Sequence, residues 1–212
     1  MDTRGDIRAV FDRIAPHFSA TREHPWPEVE TFLESVGEPT IGLDIGCGNG
    51  RHAVALEGVC AQVVGVDLSR RLLEIAADRT DAELLQGDAV LLPIRTGVVD
   101  IAVYVATIHH LPTAALRRAS LAELDRVLAP GGRALVSAWS TADERFDETE
   151  GFDTTLTWTL PDGEEVDRFY HIFDPGEFEA MLGSSSLVVE DMSVSSGNCY
   201  AVVTSSDEKE RT

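Results

Sequence analysis

The run Asp44-Ile45-Gly46-Cys47-Gly48-Asn49-Gly50 joins an apolar segment, Ile41 to Ile45, to a helical pattern starting at about Arg51. Glycine at every second position lets the backbone turn tightly and approach a ligand closely. The spacing is not the G-x-G-x-x-G of a dinucleotide cradle, and no Gly-Lys-Ser/Thr of a phosphate loop follows. A plain strand-to-helix turn explains one or two glycines, not three preceded by an aspartate. Asp44 suits a ligand that carries a positive amino group. Asp67 ends the next strand-like segment, where a carboxylate can accept both hydroxyls of an unphosphorylated ribose. Asp88, in Gly87-Asp88-Ala89, can take the exocyclic amine of a base. Each aspartate alone reads as a strand-end cap. Three at successive strand ends, where open α/β sheets bind ligands, form a constellation.

An amino group, a ribose and a base amine together describe S-adenosylmethionine (SAM). The elements around these residues fit that reading. Ile7, Val10, Phe11 and Ile14 predict an amphipathic helix whose clean part ends at Pro16, and Pro25-Trp26-Pro27 a stiff corner before a helix through Val36. Strands are expected at Ile41 to Ile45, Gln62 to Asp67, Glu83 to Gln86, Val98 to Ala106 and Arg133 to Trp139. Helices fall between them, at Arg70 to Asp78 and Thr113 to Leu128, the latter stopping at Pro130-Gly131-Gly132. This alternation predicts a mostly parallel sheet with helices on both faces. Thr141 to Gly151 reads as a surface loop. Strands at Thr154 to Thr159 and Val166 to Phe173 flank Pro161-Asp162-Gly163. A helix follows Asp174-Pro175, and a hairpin, Leu187 to Val194 with Cys199 to Thr204, surrounds Gly197-Asn198.

Asp44 to Gly50, Asp67, Asp88-Ala89, Asp100 with its strand, and Pro130-Gly131-Gly132 together resemble class I SAM-dependent methyltransferases over roughly residues 35 to 140. The resemblance implies an α/β, Rossmann-like seven-stranded sheet with an antiparallel C-terminal hairpin. It implies cofactor contacts from Asp44, Gly46, Cys47, Gly48, Asp67, Leu68, Asp88, Ala89 and Val105. A narrower resemblance extends over most of the chain. Ile14 to Arg22, Pro25-Trp26-Pro27, Ile108 to Leu111, Arg168 to Phe173 and Gly197 to Tyr200 resemble the tRNA wobble-uridine methyltransferases that esterify 5-carboxymethyluridine. His-His-Leu after the fourth strand also occurs in small-molecule methyltransferases, so none of these matches is diagnostic alone.

A carboxylate with a pKa near 4 is already ionised at neutral pH, so its O-methylation requires alignment and exclusion of water rather than a general base. Cations and hydrogen-bond donors should hold it, and arginine offers the best fork. His109, Arg22 and Arg168 are the expected catalytic set, with Trp26, His110 and Tyr170 against the substrate. The competing roles are surface salt bridges for the two arginines and hydrogen-bonded packing for the two histidines. Two other functions stay open: methylation of a small-molecule acid or amine, and a non-catalytic SAM-binding subunit.

Composition sets the remaining bounds. The chain has 212 residues, 43% of them hydrophobic, so global disorder is excluded. Asp and Glu total 37 against 17 Lys and Arg, a formal net charge of −20. Lys209 is the only lysine. At moderate salt this argues against DNA, RNA and anionic membranes. The composition also resembles that of proteins from halophilic archaea, and in molar salt the counterion-release part of RNA affinity largely vanishes. Recognition of tRNA there must rest on stacking, shape and close hydrogen bonds. Cys47, Cys60 and Cys199 are scattered and suggest neither a disulfide framework nor a metal site.

The charged N-terminus and short apolar runs predict no secretory signal, no membrane span and a cytoplasmic protein. One methyltransferase domain is expected over 1–204: a lid segment (1–38), a SAM core (39–140) and substrate-side strands with the hairpin (141–204). A disordered tail is expected over 205–212. The resemblance also implies a small zinc-binding activator protein, expected on the sheet edge near Leu84, Leu85, Leu91 and Leu92.

Overall fold

A computed structural model describes residues 4–205. Helix α1 (Arg4–Ala20) and α2 (Pro27–Glu34) precede β1 (Ile41–Ile45), α3 (Arg51–Glu57), β2 (Gln62–Asp67), α4 (Arg70–Ala76) and β3 (Glu83–Gln86). Then come β4 (Val99–Tyr104), a 3-10 turn at Ile108–His110, α5 (Ala114–Val127) and β5 (Leu128–Trp139). The chain closes with β6 (Phe152–Thr159), β7 (Glu165–Ile172), α6 (Pro175–Gly183), β8 (Leu187–Ser195) and β9 (Asn198–Ser205).

Seven strands form one sheet in the order β3-β2-β1-β4-β5-β9-β8. The first five are parallel, and β9 and β8 run antiparallel beside β5. Strand order reverses between β1 and β4, so the C-terminal ends of those strands open onto a crevice. The apolar strands β1 and β4 are buried on both faces. One core lies under α5 and α6 and is built around Leu43, Tyr104, Leu124 and Phe178; the other lies under α2 and α3, around Phe32, Leu56 and Val103. Strands β6 and β7 form a separate two-stranded hairpin.

Most expected elements appear within a few residues of their predicted bounds, and four details differ. Helix α1 does not end at Pro16 but runs through it to Ala20. Proline forfeits one donor there, but Ile14, Ala15 and Ser19 are buried and hold the helix in place. Strand β5 starts at Leu128 and carries Pro130-Gly131-Gly132 inside it as a bulge, for Val99 pairs Leu128 while Ile101 pairs Arg133. The hairpin turn sits at Ser196-Gly197 rather than Gly197-Asn198, both with positive φ (48° and 74°). Ser205 is still in β9, so the strand reaches into the segment expected to be a tail; 206–212 lie outside the described residues.

Candidate active site

The crevice is a cleft of about 1120 Å³, open to solvent and lined from the strand ends, the α1–α2 segment and β7. Gly46 and Gly48, which line it, and Gly50, the N-cap of α3, all have positive φ. A Cβ on Gly46 would lie 2.2 Å from Thr107 Oγ1, so no other residue fits there. Asp67 receives the Gly48 N–H (2.8 Å) on one oxygen and the Ser69 N–H (2.7 Å) on the other. Burial pushes its pKa up to about 6, against the lowering effect of those bonds. Ser69 caps α4 through the Leu72 N–H and donates its hydroxyl to Asp12 of α1 (2.7 Å).

Gly46, Cys47, Gly48, Asp67, Leu68, Asp88, Ala89 and Val105 all line the cleft, as do Trp26, Arg22, His109, His110 and Tyr170. Two expected site residues do not. Asp44, next to Ile45 of the lining, is 1% exposed, with burial and the nearby Asp67 raising its pKa to about 8. Its Oδ2 makes no hydrogen bond, a buried acceptor that fits a ligand's positive amino group. Arg168 lies behind Tyr170 and donates to the Tyr170 hydroxyl (2.6 Å). With Gly46 and Gly48 in the lining and Asp67 and Asp88 beside them at successive strand ends, the residues present fit SAM.

The histidines are not cations. Burial holds His109 well below the ordinary imidazole pKa and brings His110 down to about 4. His109 Nδ1 accepts the Trp139 N–H (3.1 Å), which leaves the proton on Nε2. His110 donates Nδ1–H to the Phe169 carbonyl (3.0 Å), which leaves Nε2 as an acceptor. Of the expected cations and hydrogen-bond donors, His109 is therefore a neutral donor.

Positive charge comes from the arginines, and neither forms the surface salt bridge that competed with the functional role. Arg168 is buried and Arg22 half-buried. Burial lowers the pKa of both, and no carboxylate pairs with either among the described residues. The Arg22 guanidinium lies 4.0 Å from the Phe18 ring centre instead.

Several residues at the site escaped the sequence reading. Trp139 stacks on Tyr170 (4.6 Å, 18°) and Phe11 meets His110 edge-on (4.8 Å). Phe11 and Phe18 are seven apart on α1, so their common face was readable. Ala106, just past β4, holds φ 53°, a strained conformation for a residue with a side chain, and lines the cleft. Asn49, passed over among the glycines, donates Nδ2 to Ser19 Oγ (3.0 Å) and to the Arg22 carbonyl (2.8 Å). It ties the end of α1 to the cofactor turn. Asn49→Ala should cost about 1–3 kcal/mol through the orphaned acceptors. Hydrogen exchange should report the loss as faster exchange over residues 17–22; unchanged protection there would refute the tether.

A family profile described as "Methyltransferase domain" matches residues 43–136. A tRNA (carboxymethyluridine(34)-5-O)-methyltransferase of Arabidopsis thaliana is 42% identical over 138 residues, 65% of this chain and 33% of that protein. The enzyme of the same name from Schizosaccharomyces pombe is 30% identical over 199 residues, covering 83% of this chain and 86% of its own length. Against the plant and vertebrate relatives the chain spans only 20% to 33% of their length. Among solved structures, the DhpI-SAH complex superposes with TM-score 0.76 at 18% identity, over 96% of this chain and 97% of that one. A complex of the Haloferax volcanii Trm112 methyltransferase activator with a putative methyltransferase gives 0.72 at 16% identity, over 97% and 100%. These two similarities concern the fold, whereas the fission-yeast relative is matched over nearly its whole length. The chain belongs to the tRNA (carboxymethyluridine(34)-5-O)-methyltransferase family of SAM-dependent methyltransferases.

Proposed function

We propose that this chain methylates the carboxylate of a 5-carboxymethyl group on uridine 34 of tRNA, with SAM as donor. The observation that carries the reading is the pair Arg22 and Arg168, desolvated beside the cofactor cleft with no carboxylate partner in a chain of net charge −20. In so acidic a protein, leaving a buried and a half-buried guanidinium without a carboxylate is sensible where a substrate anion completes them. The cofactor, when bound, supplies a sulfonium methyl that a carboxylate oxygen can take, leaving a neutral thioether.

The chain's own residues do the rest. Arg22 and Arg168 orient the carboxylate, Arg168 acting from behind Tyr170. His109 offers Nε2–H, and Trp26, His110 and Tyr170 shape the wall. No residue has to remove a proton, because the substrate is ionised at the outset. His110, neutral above about pH 4, keeps Nε2 as an acceptor through the working range.

A partner is also proposed. Strand β3 is a sheet edge, so its outer backbone groups are available for strand addition. Of the four leucines expected there, only Leu91 is exposed (74%). Leu92 is buried, its N–H donated to Glu123 (2.7 Å), and Leu85 packs on the core. The docking surface is thus narrower than four leucines: the edge backbone with Leu91 beside it. A zinc-binding activator of the Trm112 kind fits this edge.

No helix among the described residues is long and apolar enough to cross a membrane. Incubation with labelled SAM, with and without the activator, against tRNA from a strain lacking the modification tests the reading. Label in base-labile ester on tRNA supports it; label only on small metabolites favours the small-molecule alternative, and SAM binding without turnover the non-catalytic one.

A further inference from the structure

Trp158 lies on β6, opposite Val166 of β7. Its ring centre is 4.7 Å from the Arg168 guanidinium and 5.2 Å from that of Arg22. Its Nε1–H donates to His17 Nδ1 of α1 (3.2 Å), and the Phe18 ring packs at 6.0 Å. One indole therefore joins the two cations that sequence places far apart, one from the lid segment and one from the hairpin.

The charge of Arg168 repels that of Arg22, and each has lost much of its water. A carboxylate would stabilise them, but it would also occupy the N–H donors. An indole face attracts a cation through its quadrupole and takes none of those donors. Arg168 Nε has no hydrogen-bond partner, and Arg168 donates Nη1 only to Tyr170 while Arg22 donates Nη1 to Thr21. The remaining N–H edges stay uncommitted.

We propose that Trp158 is a positioning and specificity residue: it holds Arg22 and Arg168 side by side with free donors, so that the site prefers a carboxylate to its uncharged counterpart. This rests on the carboxylate reading above. Trp158 does not reach the reacting atoms; it acts through the two arginines. A carboxylate at the same place would neutralise the pair and remove the preference.

The test measures binding of an anticodon stem-loop carrying 5-carboxymethyluridine against the same RNA carrying the neutral amide, in the presence of S-adenosylhomocysteine. Wild-type protein should prefer the acid by tenfold or more. W158L should bring that ratio below about threefold, in line with the loss of two cation–π contacts, while S-adenosylhomocysteine affinity stays within twofold. W158F keeps a ring face and should retain most of the preference, which a purely structural role would not predict. If W158L proves unstable, W158F decides alone, and its fall to the level of no preference overturns the proposal. Wild-type preference with an equal preference in W158L overturns the role of Trp158 and leaves the carboxylate reading standing. No preference in wild type removes that reading, and the proposal with it.

Discussion

Replacing Arg168 by methionine is expected to lower kcat/KM for tRNA by about 10² to 10³, with SAM affinity changed by less than threefold. Methionine preserves much of the buried volume and removes only the charge and its donors. Arg168 acts on the anion through the Tyr170 hydroxyl to which it donates, and removing a buried charge from such a desolvated hydrogen-bonded pair costs about 2–5 kcal/mol, a span that includes that range. The cofactor should hardly notice, since Arg168 lies behind Tyr170 and outside the cleft lining. Arg22 occupies the lid side of the same pair, and charge reversal at either position should abolish tRNA methylation. Steady-state kinetics together with calorimetric SAM titration check both halves of this expectation. Equal loss of turnover and SAM binding would indicate misfolding rather than a substrate contact.

The second large effect belongs to Asp67. Asp67→Ala should weaken SAM binding by about 10²-fold, since the ribose hydroxyls lose a charged acceptor and the Gly48 turn loses its tether. Its pKa of about 6 in the free protein, raised by burial, makes the effect pH-dependent with a definite sign. The ionised form is the better acceptor, so SAM affinity should rise as pH climbs from 5 to 7. Stability of the free protein runs the other way. A carboxyl whose folded pKa is raised binds more protons folded than unfolded, so its contribution is lost as pH rises from about 4 through 6. Asp67→Asn should flatten both trends. Calorimetry and urea titrations at several pH values test this; parallel trends in wild type would contradict it.

The readability of this molecule divides by the range of the forces involved. Strands such as Ile41–Ile45 and Glu83–Gln86, the cap at Asp174 and the glycine turn appear where the sequence placed them, because neighbouring residues determine them. The same local logic misjudged Pro16, where burial of Ile14 and Ala15 outweighs one missing hydrogen bond. It also overcounted the leucines at the sheet edge, since the burial of Leu92 depends on a core assembled from distant strands.

In the site, residue identities were legible and their states were not. Arg22, Arg168, His109 and Tyr170 do converge, but burial makes His109 a neutral donor and sets Arg168 one layer behind the wall. Trp158 was invisible as a functional residue because its meaning lies in two arginines brought together by the tertiary fold. The acidity that first argued against RNA now has a narrower meaning. Against a net charge of −20, Arg22 and Arg168 meet around Trp158 without an acidic ion-pair partner, and that convergence is what points to an anion site.

The most direct measurement is nucleoside analysis of tRNA after incubation with isotopically labelled SAM and the purified protein, with and without the proposed activator. The account predicts that 5-carboxymethyluridine at position 34 is converted to its methyl ester, the label being released as methanol by mild base. Label that resists base, lies at another position, or requires no carboxylate on the uridine would contradict it.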